Sequence, residues 1–445
     1  MVFMPHSMRT LARHLKRRKN HRVRTGKAGW TAISPSAGSV FPLFTSVNKY
    51  NDISETEMRR AFIGVACLSL AGLVHAAGSV TLYGVIDNGV AWMSNATSTS
   101  GAAGHSVVQT TTGSYGNRWG LRGVEDLGGG TSAIFTLENG FDGFSGKALQ
   151  GAREFGRQAF VGLSSQTYGT LTMGRQYDIG FEYVSAYTSY MLWAGQYAAH
   201  VGDNDTMFST FRQQNAVKYR TPIWAGLEGS AMYSFSNQPG AFANNRGYSL
   251  GLRYTRNSFG AAVAYLHLNN PSAGQTGGTN ASGAVGGEYA LGASTIFYNA
   301  GAVSVQAVTS AAVSYQFGAA QTTAVFTYSD LDYVDQSTLH LYNIEANASY
   351  LITPSLLLGA SYVYTQGHTS GGRGAAYFQG ESPKWHQVNL GVNYFFSKRT
   401  TLHLLGVYQK AAGTANEASI NATGYVAGTN TTNVKLVMLG LSHKF

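Results

Sequence analysis

Hydrophobic and polar residues alternate along most of the chain from Ser79 to the C-terminal residue. The first stretch puts Val80, Leu82, Ile86 and Val90 on one face, and Thr81, Tyr83 and Asp87 on the other. Neighbouring side chains of a β-strand point to opposite faces, so each such stretch predicts a strand with one apolar and one polar face. We predict sixteen strands: 79–95, 107–126, 130–142, 154–166, 168–178, 212–221, 225–237, 246–257, 259–269, 303–317, 321–334, 339–352, 355–368, 384–396, 400–411 and 434–445.

The predicted connections are alternately short and long. Short ones such as 126–130 and 353–355 contain Gly, Pro and Ser, whereas 178–211, 269–302 and 411–433 are long. An even number of alternating strands, with short turns at one end and long loops at the other, is typical of a transmembrane β-barrel. The fold class predicted is therefore all-β, a 16-stranded antiparallel transmembrane barrel. The segment 269–302 could contain an extra strand or a helix, and we leave these alternatives open.

Composition is consistent with a barrel that has one face in lipid and one in water. Charged residues make up 12% of the chain, and mean hydropathy is −0.10. No apolar run of helix-spanning length follows the N-terminal region. A soluble β-sandwich is disfavoured because a secretion signal, a terminal phenylalanine and sixteen alternating strands occur together.

The basic charge belongs to the N-terminal region. The formal net charge is +10, but 19 basic and 18 acidic residues remain from Ala77 onwards. This near balance removes the support for nucleic-acid binding. The single cysteine, Cys67, lies within the same leader, so disulfides and cysteine-ligated metals are not expected in the mature chain, and neither is a cofactor.

Residues 58–76 have the organisation of a secretory signal peptide. Arg59 and Arg60 precede an apolar core, 61–74, and small or tolerated residues at 74–76 precede a predicted cut between Ala76 and Ala77. Residues 1–57 are predicted to be a disordered or non-native extension, produced by a wrongly assigned start upstream of Met58; the alternative is a genuine basic extension. The barrel would then be formed by residues 77–445.

Five segments of the mature chain resemble the general porins of Gram-negative bacteria, closest to the betaproteobacterial trimeric type. They are SVTLYGVID at 79–87, NRWGLRGVEDLGGG at 117–130, FGRQAFVGLSS at 155–165, YGTLTMGRQY at 168–177 and LGLSHKF at 439–445. The resemblance covers roughly residues 58–445 and is weaker in the long loops.

The resemblance implies an outer-membrane homotrimer in which each barrel has its own water-filled pore for ions and small polar solutes. In this family the third loop folds into the barrel, and its carboxylates face arginines on the wall. Lipid and lipopolysaccharide would surround the trimer, and the barrel-assembly machinery would insert it. We do not expect the protein to bind nucleic acid or to catalyse a reaction.

Four arginines are candidates for the pore wall. Arg118 and Arg122 share a face of one strand, which should be the lumen because a mid-membrane arginine facing lipid costs about 2–4 kcal/mol. Arg157 and Arg212 match the family's other wall arginines, and Arg212 directly follows the third loop. Arg118, Arg157 and Arg212 are predicted to form the wall, with Arg122 at its flank; the alternative is ordinary solvated lumen charges.

The acidic side of the constriction must come from 178–211 if the resemblance holds. Glu182 is the first candidate for the carboxylate that faces the arginines, followed by Asp203 and Asp205. Asp178 is also a candidate. The Pro-Glu-Phe-Gly-Gly run of the enterobacterial porins is absent from this loop. Which carboxylate faces the arginines is therefore open.

Two further predictions concern the position of Arg175 and the role of Phe445. Arg175 has the phase of the outward residues Leu171 and Met173, so it either lies shielded at a trimer contact or marks a break in the alternation where the third loop leaves the wall. Phe445 ends an alternating strand, as in members of the family, where such a terminal aromatic is an assembly signal.

Two other functions remain to be weighed against a pore. A barrel enzyme would need a serine or aspartate next to a histidine at one rim, and no specific pair stands out in the sequence. An adhesin or purely structural barrel would need a lumen filled with side chains, for which sixteen strands are too many.

Overall fold

A computed structural model describes residues 78–96, 105–275, 277–289, 302–371, 380–420 and 431–445. These residues all belong to one unit, His75–Phe445. The predicted extension, 1–57, and the predicted signal peptide, 58–76, lie outside the described residues.

Seventeen strand segments form a single sheet. They are β1 (Ser79–Ala96), β2 (His105–Thr112), β3 (Arg118–Gly128), β4 (Thr131–Gly140), β5 (Gln158–Ser165), β6 (Gly169–Gln176), β7 (Gln213–Arg220), β8 (Leu227–Ser234), β9 (Arg246–Arg256), β10 (Phe259–Asn269), β11 (Val303–Phe317), β12 (Ala320–Tyr333), β13 (Thr338–Thr353), β14 (Leu356–Ser370), β15 (Pro383–Phe395), β16 (Thr400–Gly413) and β17 (Asn433–Lys444).

The sheet is a closed, antiparallel barrel of sixteen spanning strands. β2 and β3 pair with successive parts of β1, so together they make one spanning strand with a break. β1 also pairs with β17, with Val90 opposite Leu439, and this pairing closes the barrel. Closure pairs the first strand of the described sheet with the last, so neither is left as an open edge, as crossing a membrane with strands requires.

The two faces of the barrel differ as the alternation predicts. Outward residues are apolar and exposed, for example Leu82, Val263 and Leu439, each at least 50% exposed. Inward residues such as Asn343 and Asn389 are polar and buried. Among the described residues, no helix is long and apolar enough to span a membrane.

The sixteen-strand prediction is confirmed, with local corrections. The predicted strand 107–126 is interrupted at 113–117, and the predicted strand 154–166 begins only at Gln158. The described part of 269–302 contains a short 3-10 turn, Pro271–Gly274, and no strand after Asn269. Residues 290–301 of that segment lie outside the described part.

Candidate pore constriction

The third loop, residues 177–211, is followed by Arg212 and β7 and folds into the barrel. It begins with a short helix, α1 (Ile179–Tyr183), whose first turn is capped because the Asp178 side chain accepts a hydrogen bond from the Phe181 N–H at 3.2 Å. Four short turns of 3-10 or π geometry follow, at Ser185–Tyr187, Tyr190–Ala194, Gln196–Ala198 and Val201–Asp203. A surface loop would expose most of these residues, but most of them are buried.

The loop crosses the lumen to the opposite wall. The Trp193 indole N–H donates to Asn347 of β13 at 2.7 Å, and Asn393 of β15 donates to the Trp193 carbonyl at 3.0 Å. The indole lies over Gly359 and Gly391, where a Cβ would come within 2.2 and 2.5 Å of the ring. These two glycines therefore provide the space in which Trp193 anchors the loop.

A buried charged cluster makes a second anchor. His200 Nδ1 lies 2.5 Å from Asp205 Oδ2, and His200 Nε2 lies 3.0 Å from Glu345 Oε2 on β13. The Thr327 hydroxyl of β12 also donates to Asp205, at 2.6 Å. Burial alone would lower the pKa of His200, but the two carboxylates raise it to about 10, so His200 is a cation at neutral pH.

Three of the predicted arginines meet near one face of the loop. The Arg157 and Arg212 guanidinium groups lie 5.8 and 4.8 Å from the centre of the Tyr177 ring. Arg212 also donates to the Tyr177 hydroxyl at 3.2 Å. Arg118, Arg157 and Tyr177 line the same cleft. The Arg118 guanidinium donates a hydrogen bond of 2.6 Å to the Tyr115 carbonyl, which fixes its position.

Arg122 lies beside Tyr83 and Glu138, and its role at the flank of the wall stays a prediction. Its guanidinium stacks over Tyr83 at 4.3 Å, and the Tyr83 hydroxyl donates to Glu138 at 2.9 Å. Arg122 is exposed, unlike Arg212. It therefore faces the water of the lumen away from the loop.

Tyr190 extends from the third loop towards the arginines. Burial raises the pKa of Tyr190 to about 12, while Arg157, Arg212 and Arg118 act in the opposite direction. The phenol therefore remains neutral at physiological pH, within the electrostatic field of all three cations. A phenol of the loop therefore lies near these three arginines, where the resemblance implies a carboxylate.

The predicted loop carboxylates have other partners. Glu182 binds Lys218 and Arg220 of β7 at 2.6 and 2.7 Å. Asp203 accepts hydrogen bonds from Thr210, and burial followed by repulsion from Asp205 raises its pKa to about 7. Asp178 caps α1 and Asp205 binds His200. Within the described residues, none of the four forms an ion pair with Arg118, Arg122, Arg157 or Arg212.

This placement has a physical reason. A loop buried inside the barrel must satisfy its own backbone N–H groups, and Asp178, Asp203 and Asp205 supply acceptors for them. Glu182 accepts instead from the cations of β7. The carboxylate beside the arginines comes instead from the wall: Glu138 of β4 accepts from Arg157 Nε at 2.8 Å. Sequence reasoning missed Glu138, although the alternation of its strand puts it on the same face as Thr136. The register of the structure pairs it with Gly120, on the face of Arg118.

Comparison with known proteins identifies the family. A family model described as Gram-negative porin matches residues 64–414. The chain belongs to the Gram-negative porins. It is 31% identical to an outer membrane porin protein of Bordetella pertussis over 400 residues, which cover 82% of this chain and 98% of that protein. It is 29% identical to outer membrane porin protein 32 of Delftia acidovorans over 414 residues. The alignment covers 87% of this chain and 100% of that protein.

Solved structures have the same fold. The anion-selective porin from Comamonas acidovorans superposes with a TM-score of 0.63 at 22% identity, covering 83% of this chain and all of that one. A trimer form of OmpT from Vibrio cholerae has a TM-score of 0.57 at 14% identity, with the same coverage. The chain is thus a porin of the Gram-negative outer membrane, of the betaproteobacterial type its sequence resembles.

Arg175 of this porin lies at a break in the strand alternation. The pairing of β6 with β7 shifts between Gly174 and Gln176. The Arg175 side chain is buried and bonded within the chain, to the Glu288 carboxylate and, at 2.7 Å, to the Gly156 carbonyl. The register shift lies where the third loop leaves the wall, and the role of Arg175 stays a prediction.

The C-terminal residue takes part in barrel closure. Phe445 exchanges two backbone hydrogen bonds of 3.1 Å with Gly84 of β1. Its ring covers Gly84, where a Cβ would lie 2.4 Å from the ring. The side chain is on the outward face with Leu441 and Leu439, as predicted, and its role as an assembly signal stays a prediction.

Proposed function

We propose that this porin is a passive channel whose third loop and arginine wall form a constriction that favours small anions. The observation that carries the proposal is the grouping of Arg118, Arg157 and Arg212 near one face of the inward loop, with Glu138 the neighbouring carboxylate. Fixed cations in a narrow, weakly screened passage attract anions and repel cations.

The charges beside the helix α1 support the same preference. Glu182 pairs with Lys218 and Arg220, and Glu228 pairs with Arg220 at 3.1 Å and Arg253 at 2.8 Å. This chain of ion pairs contains three cations and two anions. Its excess positive charge adds to that of the three arginines.

Rigid attachment of the loop supports a fixed size limit. The loop is bound to β13 and β15 through Trp193 and His200, both fully or almost fully buried. A loop held at both anchors keeps the passage at a constant width. We therefore expect solute size and charge, with no chemical turnover, to control permeation.

We also propose that the functional unit is a homotrimer. The trimer form of the OmpT structure, which has the same fold, supports this proposal. So does the exposed apolar outer face, because part of such a face can be covered by a neighbouring barrel as well as by lipid.

Reconstitution tests the proposed function directly. Purified, folded protein added to planar bilayers should give stepwise increases in conductance, and voltage-induced closure should occur in thirds. Liposomes containing the protein should swell in small sugars and resist swelling as sugar size increases. Silent bilayers with correctly folded protein would overturn the proposal.

A further inference from the structure

The cleft between the arginine wall and the third loop has two chemically different sides. It has a volume of about 210 Å³. Sites for drug-sized ligands measure ~300–1,000 Å³, so this cleft is of the size for a small solute. One side comes from the barrel wall, and the other comes from the loop.

The wall side can bind a carboxylate. One terminal nitrogen of Arg118 donates hydrogen bonds to the carbonyls of Tyr115 and Gly116. The Nε of Arg157 donates a hydrogen bond to the Glu138 carboxylate. Within the described residues, their other guanidinium nitrogens have no hydrogen-bond partner. These nitrogens can donate to an anion, in the paired geometry that guanidinium and carboxylate groups favour.

Glu138 does not cancel this attraction. Its two oxygens accept hydrogen bonds from Arg157 Nε at 2.8 Å and from the Tyr83 hydroxyl at 2.9 Å. Two cations and one compensated anion line this side of the cleft, and Arg212 lies behind Tyr177. The wall therefore keeps a net positive charge.

The loop side is apolar and aromatic. Phe181, Tyr190 and Met191 line it, and Met191 is 39% exposed. Phe181 stacks on Tyr177 with ring centres 4.5 Å apart, which fixes the orientation of its ring. A fully hydrated inorganic ion gains little from such a surface, whereas a planar ring gains by contact with it.

We propose that this cleft gives the porin a preference for anions with a compact aromatic body, with small aromatic carboxylates as the substrate class. The inference rests on the proposed function, because the cleft must lie on the permeation path. The carboxylate binds Arg118 and Arg157 while the ring contacts Phe181 and Met191. Dissociation stays fast because the contacts are few and open to water.

Block of chloride current measures this preference. The chloride conductance of many channels in a bilayer is recorded at pH 7 while benzoate, acetate or benzylammonium is added as the probe. Benzoate should reduce the conductance by half at a concentration about tenfold lower than acetate, the ratio that one good ring contact provides. Benzylammonium, which has the ring with the opposite charge, should not block.

Variants separate the ring contact from the charge contact. Phe181→Leu should reduce the benzoate-to-acetate ratio to about threefold or less, while Arg157→Gln should weaken block by both anions. Phe326→Leu, a matched change at an outward residue of β12, should leave the ratio unchanged. If Phe181→Leu does not fold, Met191→Ser is used as the test variant, since Met191 is exposed. It should also reduce the benzoate-to-acetate ratio.

The outcomes distinguish the two proposals. Folded protein without chloride conductance overturns the proposed function itself. Conducting channels that benzoate and acetate block at equal concentrations overturn the aromatic preference alone. The same conclusion follows if Phe326→Leu changes the ratio as much as Phe181→Leu does.

Discussion

Replacement of His200 is the change expected to loosen the third loop most. His200 lies between Asp205 and Glu345, and the side chains of all three are at most 1% exposed. His200→Gln keeps a hydrogen-bond donor but removes the positive charge. Two buried carboxylates, one on the loop and one on β13, are then left without a cation.

The size of the effect follows from the pKa of His200. A rise from 6.5 to about 10 corresponds to about 5 kcal/mol in favour of the charged form. Breaking a buried ion pair by removal of one partner generally costs about 3–5 kcal/mol. We therefore expect the anchoring of the loop to β13 to weaken by roughly 3–5 kcal/mol.

Single-channel recording detects the weakened loop. At pH 7 His200→Gln should give noisy channels with larger subconductance states, and liposomes should admit larger sugars than the unchanged protein admits. His386→Gln is the control, because His386 of β15 bonds to the neutral Tyr362 hydroxyl, whose residue is 42% exposed on the outward face. Channels of His200→Gln as quiet as those of the control would refute the role of the cluster.

The attachment of the third loop to the wall should depend on pH in a defined direction. The pKa of His200 is raised on folding, so its stabilisation is complete below pH 6.5 and is lost as pH increases through 10. The pKa of Asp205 is lowered, so its stabilisation is present above its usual range near 4 and is lost as pH falls below it. Channel noise should thus be lowest between about pH 4 and pH 6.5 and should increase progressively towards pH 10, and His200→Gln should lack this alkaline transition.

Three further changes have expected outcomes. Gly359→Ala should destabilise the folded porin by about 1–3 kcal/mol in thermal unfolding, because a Cβ there strikes the Trp193 ring. Glu182→Gln should increase anion selectivity in reversal-potential measurements, because it frees two wall cations. Phe445→Ser should lower the amount of folded porin in isolated outer membranes, because it removes the outward terminal aromatic of the closing strand.

Each of these changes has a control. Gly406→Ala should be harmless, since the nearest atom to a Cβ there is 4.0 Å away, and equal destabilisation by both alanines would contradict the steric account. Glu125→Gln alters a carboxylate at the exposed end of β3 and should leave selectivity unchanged. Phe445→Trp retains an aromatic ring, so a yield as low as that of Phe445→Ser would argue against the assembly role.

The strands of this porin were predictable from sequence because each depends on a local period. The alternation that ends in Leu439, Leu441 and Phe445 is set by the requirement that one face meet lipid, and the structure reproduces it. At the break between β2 and β3 the chain contacts a segment distant in sequence. Gly195 of the third loop packs against Ser114, so close that a Cβ would lie 2.3 Å away.

The partners of the loop side chains were not predictable in the same way. Asp205 and Glu345 are 140 positions apart in the chain and meet only through His200. The sequence shows which residues are acidic, but the path of an inward loop decides whether they face water, a backbone N–H or a cation. Glu138, which was not among the predicted residues, belongs to a strand, so the alternation of β4 could have placed it on the face of Arg118.

The reversal potential in a KCl gradient tests the arginine constriction most directly. The unchanged porin should be anion-selective, and the double variant Arg118→Ser/Arg212→Ser should shift the reversal potential towards that of a cation-selective channel. Both proteins should still form open channels of the same fold. A cation-selective unchanged porin, or a double variant with an unaltered reversal potential, would contradict the account.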